Sequence, residues 1–259
     1  MTIGIDISKH NTLKEEDFKY LKEFGLDFVI IRAGFGKSKT QEDPCFKKYY
    51  KYAKSAGLKV GCYWYSYALS EKEIKQEAEV FYSVIKDFIF EMPVYLDFEE
   101  SNQFKLSKTT INNMIRTFLD YMESRGYWAG LYMSRWYLEN YVDENIVRNR
   151  YAIWIADYNK KTSYKGNYGM WQYTDKGRIK YIEGNFDLDK CFVDYPRLIK
   201  SKRLNGYQFY KSNDILVKQI LEGYWGNGEI RKQLLKDAGY NYNGVQALVN
   251  IEVNKNAKD

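Results

Sequence analysis

Short runs rich in Val, Ile, Tyr, Phe and Trp recur along the first 195 residues, and amphipathic stretches separate the first five of them. The runs are TIGIDIS from Thr2, FVIIRA from Phe28, LKVGCYWYSY from Leu58, MPVYLDFE from Met92, WAGLYMS from Trp128, YAIWIADY from Tyr151, YGMWQYT from Tyr168 and FDLDKCF from Phe186. Between them, LKEEDFKYLKEFG, DPCFKKYYKYAKSAG, SEKEIKQEAEVFYSVIKDF and SKTTINNMIRTFLDYMESRG carry helical spacing. Several of these stretches open on Asp, Ser or Thr and close on Gly, as helices do. Strands joined through helices are parallel, because a parallel crossover needs about that much chain. Eight such runs in under 200 residues predict an α/β fold, an irregular TIM-like β/α barrel whose helices are missing from its last third. A doubly wound open sheet is the alternative.

After Pro196 the β pattern stops. RLIKSKRLNGYQFYKS has no clear period and reads as a linker over 197–211. Three short helices follow within 212–259: NDILVKQILEG, then EIRKQLLKDAG after the turn WGNG, then NGVQALVNIEV after GYNYN. Ile215, Ile220, Trp225, Leu234, Leu235, Val245 and Leu248 are the expected core of this small module, and 1–196 is the expected main domain. The net charge of +6 is uneven: residues 1–196 carry 29 basic and 28 acidic side chains, the rest 11 and 6. A basic tail suits an anionic partner surface and equally suits an ordinary solvated face.

No apolar run approaches the roughly 18 residues of a membrane helix, and Met1 leads into TIGIDIS with neither a basic nor a long apolar leader segment. The expectation is a soluble chain without an export signal, made in a reducing cytoplasm. Cys45, Cys62 and Cys191 are odd in number and far apart, which argues against a disulfide framework and against a clustered metal site. His10 is the only histidine and reads as a loop residue, so most zinc hydrolases and the Ser-His-Asp and Cys-His mechanisms are removed. We therefore expect no metal, no cofactor, and neither nucleic acid nor membrane as partner. Chemistry must rest on carboxylates.

The fourth run supplies them. YLDFEE places Asp97 and Glu99 on one side of a strand by its two-residue period, with Leu96 and Phe98 on the other. Acids are disfavoured inside strands, and the carboxyl end of a barrel strand is where active-site groups project. Asp6 near the end of the first run, Asp157 near the end of the sixth and Asp187 in the eighth could converge on the same mouth, although singly each reads more readily as a cap or loop residue. Acids crowded in a cleft raise one another's pKa, which supplies the protonated acid that glycosidic cleavage needs beside an ionised one. The α-carbons of Asp97 and Glu99 would lie roughly 6.5–7 Å apart, which decides neither retention nor inversion.

GIDISKHN, GCYWYSYA, YLDFEE, WIADY, MWQYT and FDLDKCF, in that order over residues 1 to about 195, resemble glycoside hydrolase family 25, the phage and bacterial lysozymes. The resemblance implies metal-free hydrolysis of the β-1,4 bond between N-acetylmuramic acid and N-acetylglucosamine in peptidoglycan. It implies Glu99 as general acid and then base, Asp97 as the neighbouring carboxylate, and Asp6 and Asp187 as supporting acids. Retention of configuration is implied too, with attack by Asp97 and assistance from the substrate's acetamido group both left open. One departure is Trp64, where the family often has His between Tyr63 and Tyr65, and it bears on the lining of the sugar groove. Tyr63, Tyr65, Tyr132 and Trp171 are the aromatic candidates for that groove. Arg32 could hold a substrate carboxylate or pair with a barrel acid.

DILVKQILEGYWGNGEIRKQLLKDAGYNYNGVQALVN resembles a single copy of a cell-wall-binding repeat, the seventh of its naming series. That resemblance implies contact with the muropeptide unit, for which Asp214, Arg231 and Tyr240 are the candidates. Together the two imply a phage-type endolysin that waits in the host cytoplasm for a separate pore-former, a holin, and then acts on the wall. Two rivals stand beside it. A chitinase-like barrel of family 18 wants further acids where this chain has Tyr95 and Met92. A non-catalytic wall-binding protein would adsorb without releasing reducing ends.

Overall fold

The computed structural model describes residues 1–147, 150–207 and 212–256. Eight strands close into a barrel in chain order. They are β1 (Thr2–Ile7), β2 (Phe28–Phe35), β3 (Lys59–Tyr65), β4 (Val94–Asp97), β5 (Ala129–Ser134), β6 (Ala152–Ala156), β7 (Met170–Ile179) and β8 (Ile182–Cys191). The first seven are parallel, and β8 runs the other way against both β7 and β1. Each expected run becomes a strand. Helices α1 (Glu15–Glu23), α2 (Phe46–Ser55), α3 (Glu71–Ile85) and α4 (Lys108–Ser124) follow the first four strands, and the short α5 (Arg135–Tyr141) and α6 (Glu144–Val147) follow β5. A loop joins β6 to β7, and β7 and β8 form a hairpin, so the barrel is closed late without helices. Ser70, Ser107 and Ser134 each accept a backbone N–H of the turn they open, the first two at helix starts that the sequence suggested.

The β7–β8 hairpin runs farther than its sequence implied, because Asp175, Lys176, Arg178 and Glu183 interrupt the apolar composition on its exposed side. Ile179 and Ile182 hold it from the buried side. Inside the barrel, Gly4 and Gly130 make room for large rings: a β-carbon on Gly4 would come within 2.4 Å of the Phe28 ring, and one on Gly130 within 2.5 Å of Tyr95. Tyr63, Tyr95 and Tyr132 then gather on Trp154, with ring centroids 6.3, 5.1 and 4.5 Å away. This aromatic filling leaves the acids to occupy the carboxyl ends of the strands. Trp64 points the other way, buried against Phe81, and its N–H donates to the Gly36 carbonyl. The departure at position 64 therefore does not touch the groove.

The linker expected over 197–211 is corrected by the structure over 197–207. Tyr195–Ser201 is a helix, α7, opened by Pro196 and by Asp194, which accepts the Arg197 N–H. Asn205 is buried: its Oδ1 accepts the Trp128 N–H at 2.6 Å and its Nδ2 donates to the Met92 carbonyl at 2.9 Å. The Tyr207 hydroxyl donates to Glu91, which is also paired with buried Lys54. Sequence reading missed this because polar side chains that clasp barrel backbone leave no apolar period. Residues 208–211 lie outside the described residues.

Three helices follow, α8 (Asn213–Leu221), α9 (Gly228–Asp237) and α10 (Tyr242–Asn256). Leu216, Ile220, Trp225, Leu235, Val245 and Val249 are buried, whereas Ile215 and Leu248 are exposed, so the expected core is one residue out of phase at two places. The module docks on the barrel. Tyr224 packs edge-on against Phe88 at 5.1 Å, Gln219 donates to the Asp87 carbonyl at 2.9 Å, and Lys200 pairs with Asp237.

Candidate active site

The strand register gathers the acids. Asp6 on β1 stands directly opposite Asp187 on β8. Asp97 ends β4, level with Tyr65 on β3 and Tyr132 on β5. Glu99 lies two residues farther on, past Phe98, whose ring is buried in the outer core. Glu99 is exposed at the rim, while Asp6 and Asp97 are buried and Asp187 half-buried. The mouth thus holds four carboxyl groups at graded depth.

Burial is the first cause of a raised pKa in all four. For Asp6 the next cause is Asp187, opposed by the hydrogen bond from Gln172, whose Nε2 donates to Asp6 Oδ2 at 2.7 Å. Asp97 is pushed up further by Glu99 and Asp6 and drawn down by Arg32. Glu99, exposed as a residue, has its carboxyl raised by partial desolvation against the walls of the mouth, then by Asp187 and Glu100, and Asp187 itself is pushed up to about 6 by burial and Asp175. Such a set takes up protons at higher pH than isolated carboxylates do. Asp97 Oδ1 is buried without a hydrogen-bond partner. Among the described residues no three His, Cys, Asp or Glu side chains are grouped to hold a metal ion.

Of the aromatic candidates, Tyr63, Tyr65 and Tyr132 belong to this mouth. All three are raised first by burial, and acids of the mouth come next among the causes. The Tyr65 hydroxyl donates to Glu100 at 3.3 Å, and that of Tyr132 to Gln172 Oε1 at 2.8 Å. Trp171 is a correction. It faces the outer core with its N–H on the Asp157 carbonyl, and its neighbour Gln172 faces in. The two-residue period fixes that these neighbours diverge, not which one enters the barrel. Tyr158, which donates to Gln172 Oε1 at 2.9 Å, was missed because it follows β6 in a loop.

Arg32 pairs through Nε with Asp43 at 2.8 Å, and its Nη2 is buried without a partner. Of the two roles open to it, pairing with an acid is realised, and the acid comes from the loop after β2. Asp157 does not join the mouth: it pairs with Arg135 at 3.1 Å and accepts from Asn159 and Thr162, organising its own loop. His10 is an exposed turn residue. In the module, Arg231 donates to the Gly226 carbonyl, Gln246 and Asn227, and Tyr240 packs on Trp225 at 5.8 Å, so both hold the module together. Asp214 is exposed in the first turn of α8.

Residues 5–182 match the sequence family described as glycosyl hydrolases family 25. The chain belongs to that family. Residues 214–253 match the CW_7 repeat. The family 25 barrel is 32% identical over 189 residues to the autolytic lysozyme of Clostridium acetobutylicum, an alignment covering 72% of this chain and 55% of that protein. The chain is 24% identical over 234 residues to the lysozyme of Streptococcus phage Cp-7, covering 89% of this chain and 64% of that protein. The chain therefore spans less than two thirds of either relative's length. Among solved structures, the catalytic domain of an endolysin from a bacteriophage of Listeria monocytogenes superposes with a TM-score of 0.61 at 28% identity, covering 77% of this chain and 97% of that one.

Proposed function

We propose that this family 25 barrel is a muramidase that cleaves the β-1,4 bond between N-acetylmuramic acid and N-acetylglucosamine in peptidoglycan, and that the chain works as a phage-type endolysin. The observation that carries the reading is the convergence of Asp6, Asp97, Glu99 and Asp187 on one open mouth beside Tyr63, Tyr65 and Tyr132.

Glu99 is the proton donor. Its carboxyl is raised by burial and by Asp187, and it sits at the rim where a glycan can reach it. It passes its proton to the O4 leaving group of N-acetylglucosamine and then takes one from the water that completes hydrolysis. Asp97, deeper and with a free Oδ1, faces the anomeric side, where it either meets the anomeric carbon or orients the substrate's acetamido N–H. Asp6 and Asp187 keep the mouth electronegative as positive charge develops on the sugar. Tyr63, Tyr65 and Tyr132 line the sugar path, with Arg32 behind them. The residues present need no metal or cofactor for this chemistry.

The repeat is the wall-binding part, with Asp214 as its exposed polar contact. No helix among the described residues is long and apolar enough to cross a membrane. In the endolysin reading, a separate pore-former opens the way from the host cytoplasm to the wall.

Mass spectrometry of fragments released from purified cell walls tests the reading. Muramic-acid reducing ends are expected. Glucosamine reducing ends, freed peptides, or adsorption with no release would each replace it, the last by the binding-protein reading.

A further inference from the structure

The mechanism leaves Asp189 without a task. Asp189 lies on β8 two residues after Asp187 and on the same side of the strand, so it enters the barrel one layer deeper. It is level with Gly4 of β1 and Gln172 of β7 and is fully buried. Its Oδ1 accepts the Trp154 indole N–H at 2.8 Å, and its Oδ2 meets no donor.

The neighbour within hydrogen-bonding contact of this carboxyl is another carboxyl, that of Asp6. Two ionised carboxylates are acceptors only, so a contact between them inside a barrel is repulsive unless a proton lies between them. The surroundings say which oxygen carries that proton. Asp6 already receives a donor from Gln172 and opens toward the mouth. Asp189 is enclosed below it, with Trp154 as its donor and with Tyr95, Tyr173 and Cys191, all uncharged at neutral pH, as its other titratable neighbours besides Asp187.

We propose that Asp189 is kept as a neutral carboxylic acid whose O–H donates to Asp6, making it a positioning residue that holds Asp6 ionised and aimed at the mouth. Burial raises both acids, but their mutual contact acts with opposite sign, drawing Asp6 down and Asp189 up, as expected when the shared proton sits on Asp189. The strand therefore carries two acids with different tasks: Asp187 adds charge at the mouth, and Asp189 supplies a hydrogen bond beneath it. Arg32 on β2 and Asp97 and Glu99 on or just past β4 face the same space from the far side.

The task in catalysis rests on the muramidase reading; the protonation state does not, and two measurements separate them. Infrared difference spectra of the resting protein and D189N at neutral pH should show the parent's carboxylic-acid C=O band lost in the variant. A difference containing only carboxylate bands would overturn the proposal whatever the enzyme does. In the assay, D189N retains a donor toward Asp6 and should keep near-parental kcat with an unmoved acid limb. D189A strands Asp6, and it should lose roughly tenfold to a hundredfold in kcat with the acid limb moved to higher pH. If D189N is as impaired as D189A while both melt like the parent, Asp189 acts as a charge and the proposal fails. If no variant and no parent releases muramic-acid ends, the muramidase reading fails and the infrared result alone decides the proton.

Discussion

Asp6 and Asp187 face each other across the antiparallel β1–β8 ladder, so two acids share one cross-strand position. Like charges directly opposite one another destabilise a sheet. Here the repulsion shows in both groups, with Asp187 pushed up to about 6 by burial and Asp175, and Asp6 raised by burial and by Asp187. The same repulsion reaches Glu99, and the chemistry of the mouth depends on it.

Glu99→Gln keeps the size of the side chain and removes the transferable proton. Cleavage of soluble glycan fragments should fall about 10²–10⁴-fold, with the melting temperature unchanged. Parental activity in a folded variant would remove Glu99 as donor.

Asp187→Asn tests the source of the raised Glu99. Activity needs Glu99 protonated, so it is lost as pH rises through that group's pKa. Removing the Asp187 charge lowers this pKa, and the alkaline limb of kcat/KM should move to lower pH. A limb that stays in place or moves up contradicts the assignment. Soluble substrate is required, because adsorption of the basic tail carries its own salt and charge dependence.

Glu77 offers a stability test away from the site. It is buried, its Oε1 accepts the Tyr67 N–H at 3.1 Å, and it is raised from 4.5 to about 7, chiefly by burial. An acid raised on folding takes up protons as the chain folds, so its contribution is fully present below pH 4.5 and is lost as pH rises through about 7. Glu77→Gln keeps the acceptor and removes that loss. The variant should match the parent near pH 4 and unfold at higher denaturant concentration near pH 8; equal midpoints at pH 8 would show that Glu77 carries no such penalty.

The docked module predicts where the chain can be cut. Truncation after Tyr207 should leave a barrel that still cleaves soluble fragments, clears intact walls poorly and melts lower, because Phe88 loses the Tyr224 ring. Truncation before α7 should fail to give folded barrel. Asn205→Ala checks the cause: it strands the part-buried Trp128 N–H and the buried Met92 carbonyl and should cost about 1–3 kcal/mol for each group. Unchanged stability in this variant would return residues 197–207 to the status of a linker.

Much of the site was legible because strand period and position are local. YLDFEE shows by itself that Asp97 and Glu99 share a side at a strand's carboxyl end, and the structure keeps them there. Trp171 was misread because period two leaves the direction of a strand's faces open, and only the barrel's curvature turned Gln172 inward. Asp189 was passed over because a second acid in FDLDKCF reads as another polar strand residue until Asp6 lies against it.

The order of strands and helices, the late loss of helices and the tail's helical nature were determined by the sequence, since each follows from residues a few positions apart. The tertiary structure decided the reversal of β8. In a parallel eighth strand Asp187, near the start of FDLDKCF, would enter at the amino end, away from the mouth. Because β7 returns through a hairpin, β8 descends, and Asp187 meets Asp6 at the mouth. It also decided that residues 195–207 belong to the barrel, because the partners of Asn205 and Tyr207 lie in segments more than 70 residues away. Contacts over that separation leave no periodic trace in the chain, and only closure of the barrel brings them together.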